Sequence, residues 1–133
     1  MIGVDTNVLV RHLTQDDPAQ SRAATRFFAA RTADDPAYIS LVALVETVWV
    51  LRRAYGIEAV AVARVIRGLL SVREVVVPAP DVVRRAVDDA EQAGTDLADA
   101  LIAHLAVAAG ADGTVTFDRR AAELPAMRLL PIG

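Results

Sequence analysis

Met1-Ile2-Gly3-Val4-Asp5-Thr6-Asn7 opens the chain. An apolar run that stops at an acid followed by two small polar residues reads as a buried strand passing straight into a helix. In an open parallel sheet, ligands bind in the crevice outside the carboxyl ends of the strands, so a strand ending in Asp5 delivers a carboxylate to that crevice. Asp, Thr and Asn equally suit a helix N-cap, and taken alone Asp5 is better explained by capping. The odds change only because the pattern returns later in the chain.

Beyond Asp5, Val8, Leu9 and Leu13 support a short helix that breaks at Asp16-Asp17-Pro18. Asp17 with Pro18 in the first helical position starts a second helix through about Arg31, with Ala23, Ala24, Phe27 and Phe28 on its apolar face. Asp34-Asp35-Pro36 marks a turn, Ala37 to Ser40 a second strand, and Ser40 suits the cap of a third helix. Leu41 to Leu51 is apolar except for Glu46, whose neighbours three and four positions away are Val42, Ala43, Trp49 and Val50, so no intrahelical ion pair forms. Glu46 lies either on a narrow solvent-facing stripe or beside a cavity that supplies a cation, since burial without a partner is costly.

Arg52, Arg53 and Gly56 end that helix and Glu58 to Leu70 forms the next, a hairpin able to project from the sheet. Arg52, Arg53, Arg64 and Arg67 form either a basic rim for phosphates or solvated surface, the latter being the safer reading. Glu74 to Val77 is a third strand, closed by Pro78-Ala79-Pro80. In the helix Asp81 to Ala93, Arg84 with Asp88 and Arg85 with Asp89 are spaced as exposed ion pairs worth about 0.2 to 0.5 kcal/mol each. Asp96 caps a helix running to Gly110, and Asp99 three residues on resembles a capping box. Asp99 is the less easily explained of the two, one turn into a helix of Leu, Ala and Ile. His104, amid alanine and leucine, reads as a satisfied core or rim residue. Gly113 to Phe117 is a fourth strand, also ending in an acid, Asp118, and Arg128 to Leu130 is an edge strand.

Strands alternating with helices, joined by connections too long for hairpins, define a single α/β domain over residues 1–133 with a mainly parallel sheet of four to five strands flanked by helices. Hydrophobic residues make up 54% of the 133-residue chain, yet no uncharged apolar run approaches the roughly 20 residues that span a bilayer, so no membrane segment is expected. A strand beginning at Met1 leaves no room for a secretory signal, and the chain has no cysteine; both fit a cytoplasmic protein. The net charge is −3 and all 14 basic residues are arginine. An acidic balance argues against coating nucleic acid through bulk charge, and the lack of lysine excludes Schiff-base chemistry and a Walker-type phosphate loop.

Parallel strands place their carboxyl ends together, so Asp5, Glu46, Asp99 and Asp118 are expected at one edge of the sheet. At separations of about 6 Å and an effective dielectric near 20, each like-charge pair costs roughly 3 kcal/mol. Such a cluster takes up protons or binds a cation, and oxygen ligands without His or Cys favour a hard ion, magnesium or manganese.

The opening Val-Asp-Thr-Asn, Glu46 in its apolar helix, Asp96-Leu-Ala-Asp99-Ala-Leu-Ile-Ala and Thr116-Phe-Asp118 resemble a PIN-domain ribonuclease, specifically the VapC toxin group of bacterial toxin–antitoxin pairs. The resemblance covers nearly the whole chain in order. It implies a magnesium-dependent endoribonuclease, usually a homodimer, held inactive by a small VapB-type antitoxin. Asp5, Glu46, Asp99 and Asp118 match the acidic quartet, Asp96 an extra acid of many members, and Thr6, Asn7 and Thr116 small polar positions beside it. On that basis Asp5, Asp99 and Asp118 hold the metal, with manganese able to substitute for magnesium. Glu46 positions a water or helps hold a second ion, and the three polar residues orient the ligands.

Rival classes fit less well. A receiver-type phosphoacceptor needs a lysine, a dehalogenase-type phosphatase wants an Asp where Asn7 stands, and a dinucleotide-binding domain needs a glycine-rich turn after the first strand. A housekeeping nuclease of the same fold without an antitoxin, and a non-catalytic PIN-like binding module, remain as alternatives. The antitoxin surface is expected on the apolar helices between Leu41 and Leu70.

Overall fold

The computed structural model describes residues 1–133. The chain runs β1 (Ile2–Gly3), α1 (Thr6–Thr14), α2 (Pro18–Ala29), β2 (Ala37–Tyr38), α3 (Leu41–Arg53), α4 (Ala59–Ser71), β3 (Val75–Val76), α5 (Pro80–Ala93), α6 (Leu97–Ala108), β4 (Thr114–Thr116), a 3-10 turn (Ala121–Glu123) and β5 (Met127–Leu129). The helix starts lie where the polar residues put them. Asp17 accepts from the Gln20 N–H at 3.0 Å and Ser40 from the Ala43 N–H at 3.1 Å, so each satisfies a donor that the first turn leaves open.

Every strand pair is parallel: Ile2 lies opposite Ala37, Ala37 opposite Val75, and Thr114 opposite Met127. Both connections within the three-stranded sheet, β1 to β2 and β2 to β3, contain two helices, which gives the length a parallel crossover requires. The strands do not form one sheet of four to five members, however. They form a three-stranded sheet, β1-β2-β3, and a separate pair, β4-β5. β1 is only two residues long and one of them is Gly3, which offers no side chain for cross-strand contact, so little holds a neighbour on its free side.

The expectation of a buried first strand is corrected for the same reason. Ile2 is 44% exposed, and burial begins only at Val4. The backbone of β1 is tied on one side, with Ile2 N donating to Pro36 O at 3.0 Å and Val4 N to Tyr38 O at 2.9 Å.

A single apolar cluster, including Leu9, Ile39, Leu44, Val48, Leu51, Val62, Ile66, Val83, Val87 and Leu101, draws on both strands and helices and holds the chain as one unit. The α3–α4 hairpin does not project, because α4 buries Val62, Ala63 and Ile66 and packs on α5. That packing also redirects the charges of α5. Asp88 pairs with Arg67 of α4 at 2.6 Å, Asp89 meets His104 Nε2 at 2.7 Å, and Arg84 turns back to Asp81 at 2.9 Å. The intrahelical pairs expected of Arg84 and Arg85 do not form, since cross-helix partners take the two acids. His104 is satisfied, as its setting predicted. No helix is long and apolar enough to cross a membrane.

Candidate functional site

Three aspartates of interest are local caps. Asp5 is the N-cap of α1, its Oδ1 accepting from the Thr6 N–H at 2.8 Å. Asp96 is the N-cap of α6, its Oδ1 accepting from the Ala98 N–H at 3.2 Å. Asp118 closes the turn after β4, its Oδ1 accepting from the N–H groups of Arg120 at 2.8 Å and Ala121 at 3.2 Å. In each, one carboxylate oxygen orders the backbone and the other has no hydrogen-bond partner within the protein. Capping and site formation are thus compatible at these positions, each using a different oxygen.

Two groupings emerge. In the first, the Thr6 hydroxyl donates to Glu46 Oε2 at 3.3 Å, joining the start of α1 to the middle of α3 across 40 residues of sequence. Glu46 is exposed, and Trp49 beside it on α3 is half exposed under the guanidinium of Arg53, which stacks 4.1 Å from the ring centre. In the second, Asp99 is partly buried on α6 and its carboxyl is pushed above the usual carboxylate range. Burial is the main cause, followed by the negative charges of Asp96 and Asp118. The start of α6 and the end of β4, distant in sequence, therefore bring Asp96, Asp99 and Asp118 into one electrostatic neighbourhood. None of Asp5, Glu46, Asp96, Asp99 and Asp118 takes part in the salt bridges that engage Asp16, Asp35, Asp81, Asp88, Asp89 and Glu91.

The supporting residues divide. Thr116 Oγ1 accepts from the Asp118 N–H at 3.0 Å and so fixes the bend at the end of β4. Thr6 reaches Glu46 as described. Asn7 faces the open cleft between α1 and α2, together with Arg11, Gln20 and Phe27.

The donor chemistry suits a hard divalent ion: carboxylate oxygens, each with a free lone-pair side, without basic partners. The spacing is looser than the chemistry, because no three acidic or histidine side chains lie close enough together to hold one ion between them. An ion would have to draw them inward.

One residue with a role in this arrangement was not singled out from sequence. Arg120 donates its backbone N–H to Asp118 and, through Nε, a bond to Gly94 O at 3.2 Å, two residues before Asp96. Its only sequence signal is its place two residues after a strand-ending acid, which says nothing about the turn it reaches.

Parallel strands joined by pairs of helices, with acids at several helix starts and strand ends, define an α/β domain. The family model for the PIN domain matches residues 2–127, and the chain belongs to that family. The PIN domain is generally a nuclease fold, and its members are typically metal-dependent. No curated protein matches the chain.

Proposed function

We propose that the protein is a magnesium-dependent endoribonuclease, the VapC-type toxin of a type II toxin–antitoxin pair, acting in the cytoplasm. The observation that carries the reading is the PIN-family match over residues 2–127, supported by Asp96, Asp99 and Asp118, which have no basic partner and of which Asp99 has its carboxyl pushed up by burial and by the other two charges. Asp5, Asp99 and Asp118 would hold the ion, magnesium or in its place manganese, with Asp96 beside them. Held there, the ion would supply positive charge against the negative charge that builds on the phosphoryl oxygens during hydrolysis. The protein's own groups do the rest. Glu46, with Thr6 bonded to Oε2, keeps Oε1 free to orient a water toward phosphorus. The N–H groups of Arg120 and Ala121 hold the Asp118 carboxylate, Thr116 fixes the backbone beside it, and Asn7 lies on the cleft between α1 and α2.

A VapB-type antitoxin is read as covering α3 and α4, where Val42, Trp49 and Val60 are exposed. Homodimer formation is read on a separate face, where Ile102, Val115 and Phe117 stand in solvent.

Purified protein should cleave RNA in magnesium or manganese and stop in EDTA, and Asp99→Asn should be inactive yet folded. Undiminished cleavage by that variant overturns the assignment. One observation favours a second reading, a non-catalytic PIN-like binding module: the acids stand too far apart to share an ion as they are. RNA binding with no metal-stimulated cleavage would decide for it. A growth arrest on expression without the short reading frame upstream separates a toxin from a housekeeping nuclease.

A further inference from the structure

Val42, Glu46, Trp49 and Arg53 form one exposed stripe along α3, each three or four positions from the next. The opposite face of the helix, with Leu44, Val48 and Leu51, enters the core. Glu46, bonded to the Thr6 hydroxyl, belongs to the candidate site. Trp49 has no comparable use in the fold. It is the only tryptophan of the chain, it is 50% exposed, and it belongs neither to the core cluster nor to the side chains packed against it.

Arg53 sets its guanidinium carbon 4.1 Å from the centre of the Trp49 ring and enters no salt bridge. The contact restrains both side chains while leaving the positive charge without an acid to neutralise it. An exposed aromatic face beside such a cation suits a ligand that carries flat rings on an anionic chain. Single-stranded nucleic acid has that chemistry: its unstacked bases lie on aromatic side chains and guanidinium planes, and arginine meets its phosphates. A purely apolar protein ridge would cover the indole and leave Arg53 without a counter-charge. Trp49 is three residues from Glu46, about 4.5 Å along the helix axis, so a base resting on it belongs to a nucleotide beside the phosphate that Glu46 faces.

We propose that Trp49 and Arg53 form a stacking site for one base of the RNA strand next to the phosphodiester that is cut, with Arg53 also meeting the adjoining phosphate. The identity of the strand rests on the ribonuclease reading, and the site on the stripe of α3. An antitoxin lying on α3 would compete for the same indole.

With a single tryptophan, the fluorescence of the full chain reports Trp49 alone. Oligoadenylate and an abasic ribose-phosphate strand of equal length are titrated in EDTA, so that metal-dependent cleavage does not shorten them. Oligoadenylate should quench the indole saturably, and the abasic strand should bind about tenfold or more weaker, the scale of one stacked base. With labelled oligoadenylate followed by anisotropy, Trp49→Leu should raise Kd by about the same factor, whereas Trp49→Phe, which keeps an aromatic face, should stay near wild type. Arg53→Gln should weaken both strands. In cleavage assays Trp49→Leu should raise KM and leave kcat, as expected for a group that binds without touching the reacting atoms. The half-exposed position outside the core leaves folding intact, which circular dichroism checks.

Equal binding of the two strands overturns the proposal, as does an unchanged Kd for folded Trp49→Leu. Loss of self-association in Trp49→Leu with Kd unchanged assigns the indole to a contact between copies of the chain and overturns it too. Base-dependent quenching by a wild-type protein that cleaves no RNA in magnesium or manganese supports the stacking site and removes the ribonuclease reading. Cleavage without base-dependent binding does the reverse.

Discussion

Arg120 Nε donates to Gly94 O at 3.2 Å, so the residue whose backbone N–H fixes Asp118 also grips the turn that leads into Asp96. The two acids that flank Asp99 are thereby held by one residue. Gly94 is suited to its end of the contact, with a φ of 65° that any other common residue adopts only with strain.

Arg120→Ala should lower cleavage by roughly ten- to a hundredfold, the effect expected when a reacting group drifts by about an ångström. The stability loss should be only about 1 kcal/mol, that of a single exposed hydrogen bond. Arg120→Lys should recover little, because the bond is made by Nε. Steady-state kinetics beside a urea titration separates the two effects, and equal losses in both would make the residue merely structural.

Asp99 gives a pH signature whose sign is fixed. Its carboxyl is raised in the folded state, so its contribution to stability is fully present below the ordinary aspartate range and is lost as pH rises through the folded value. Asp99→Asn should therefore be more stable than wild type at pH 7, with the gap closing as the solution is acidified. Magnesium should raise the wild-type Tm at pH 7 and lose that effect in acid. Thermal melts at several pH values, with and without magnesium, read both.

Thr95→Val should stabilise the fold by about 1 kcal/mol, because it removes a buried hydroxyl that has no partner and keeps the shape of the side chain. Chemical denaturation measures it directly. A destabilised variant would mean that the hydroxyl is bonded in solution.

Thr6→Val removes the 3.3 Å contact to Glu46 and should reduce cleavage several-fold, whereas Glu46→Gln should reduce it by about a hundredfold or more. Glu46 is exposed, so Glu46→Gln should change unfolding free energy by no more than about 0.5 kcal/mol. Cleavage rates of the two variants and the double mutant test whether the residues act as a pair.

The element order was legible because punctuation and periodicity agree: Asp17-Pro18, Ser40 and Asp96 each stand where a helix begins. The capping roles of Asp5 and Asp96 were legible for the same reason, since each stands where a helix begins. Pairing between strands was not. Nothing in Ile2-Gly3 or in Thr114 to Thr116 says whether the two segments join, and the structure keeps them in separate sheets. Spacing four apart on α5 suggested pairs that tertiary packing replaced, because Arg67 and His104 arrive from other helices. The bond from Arg120 to Gly94 also depends on how α5, α6 and the 3-10 turn settle together. No local pattern encodes it.

Asp5 and Asp96 begin helices with one oxygen each, and asparagine begins a helix as well as aspartate does. An Asp-to-Asn exchange needs one altered nucleotide in the codon, so on the ribonuclease reading proposed above the gene would lie a single step from a chain that is catalytically silent yet still assembled. Such a decoy would keep its outer surfaces and go on competing for whatever binds them, which makes inheritance of a dead copy a matter of dosage rather than simple loss.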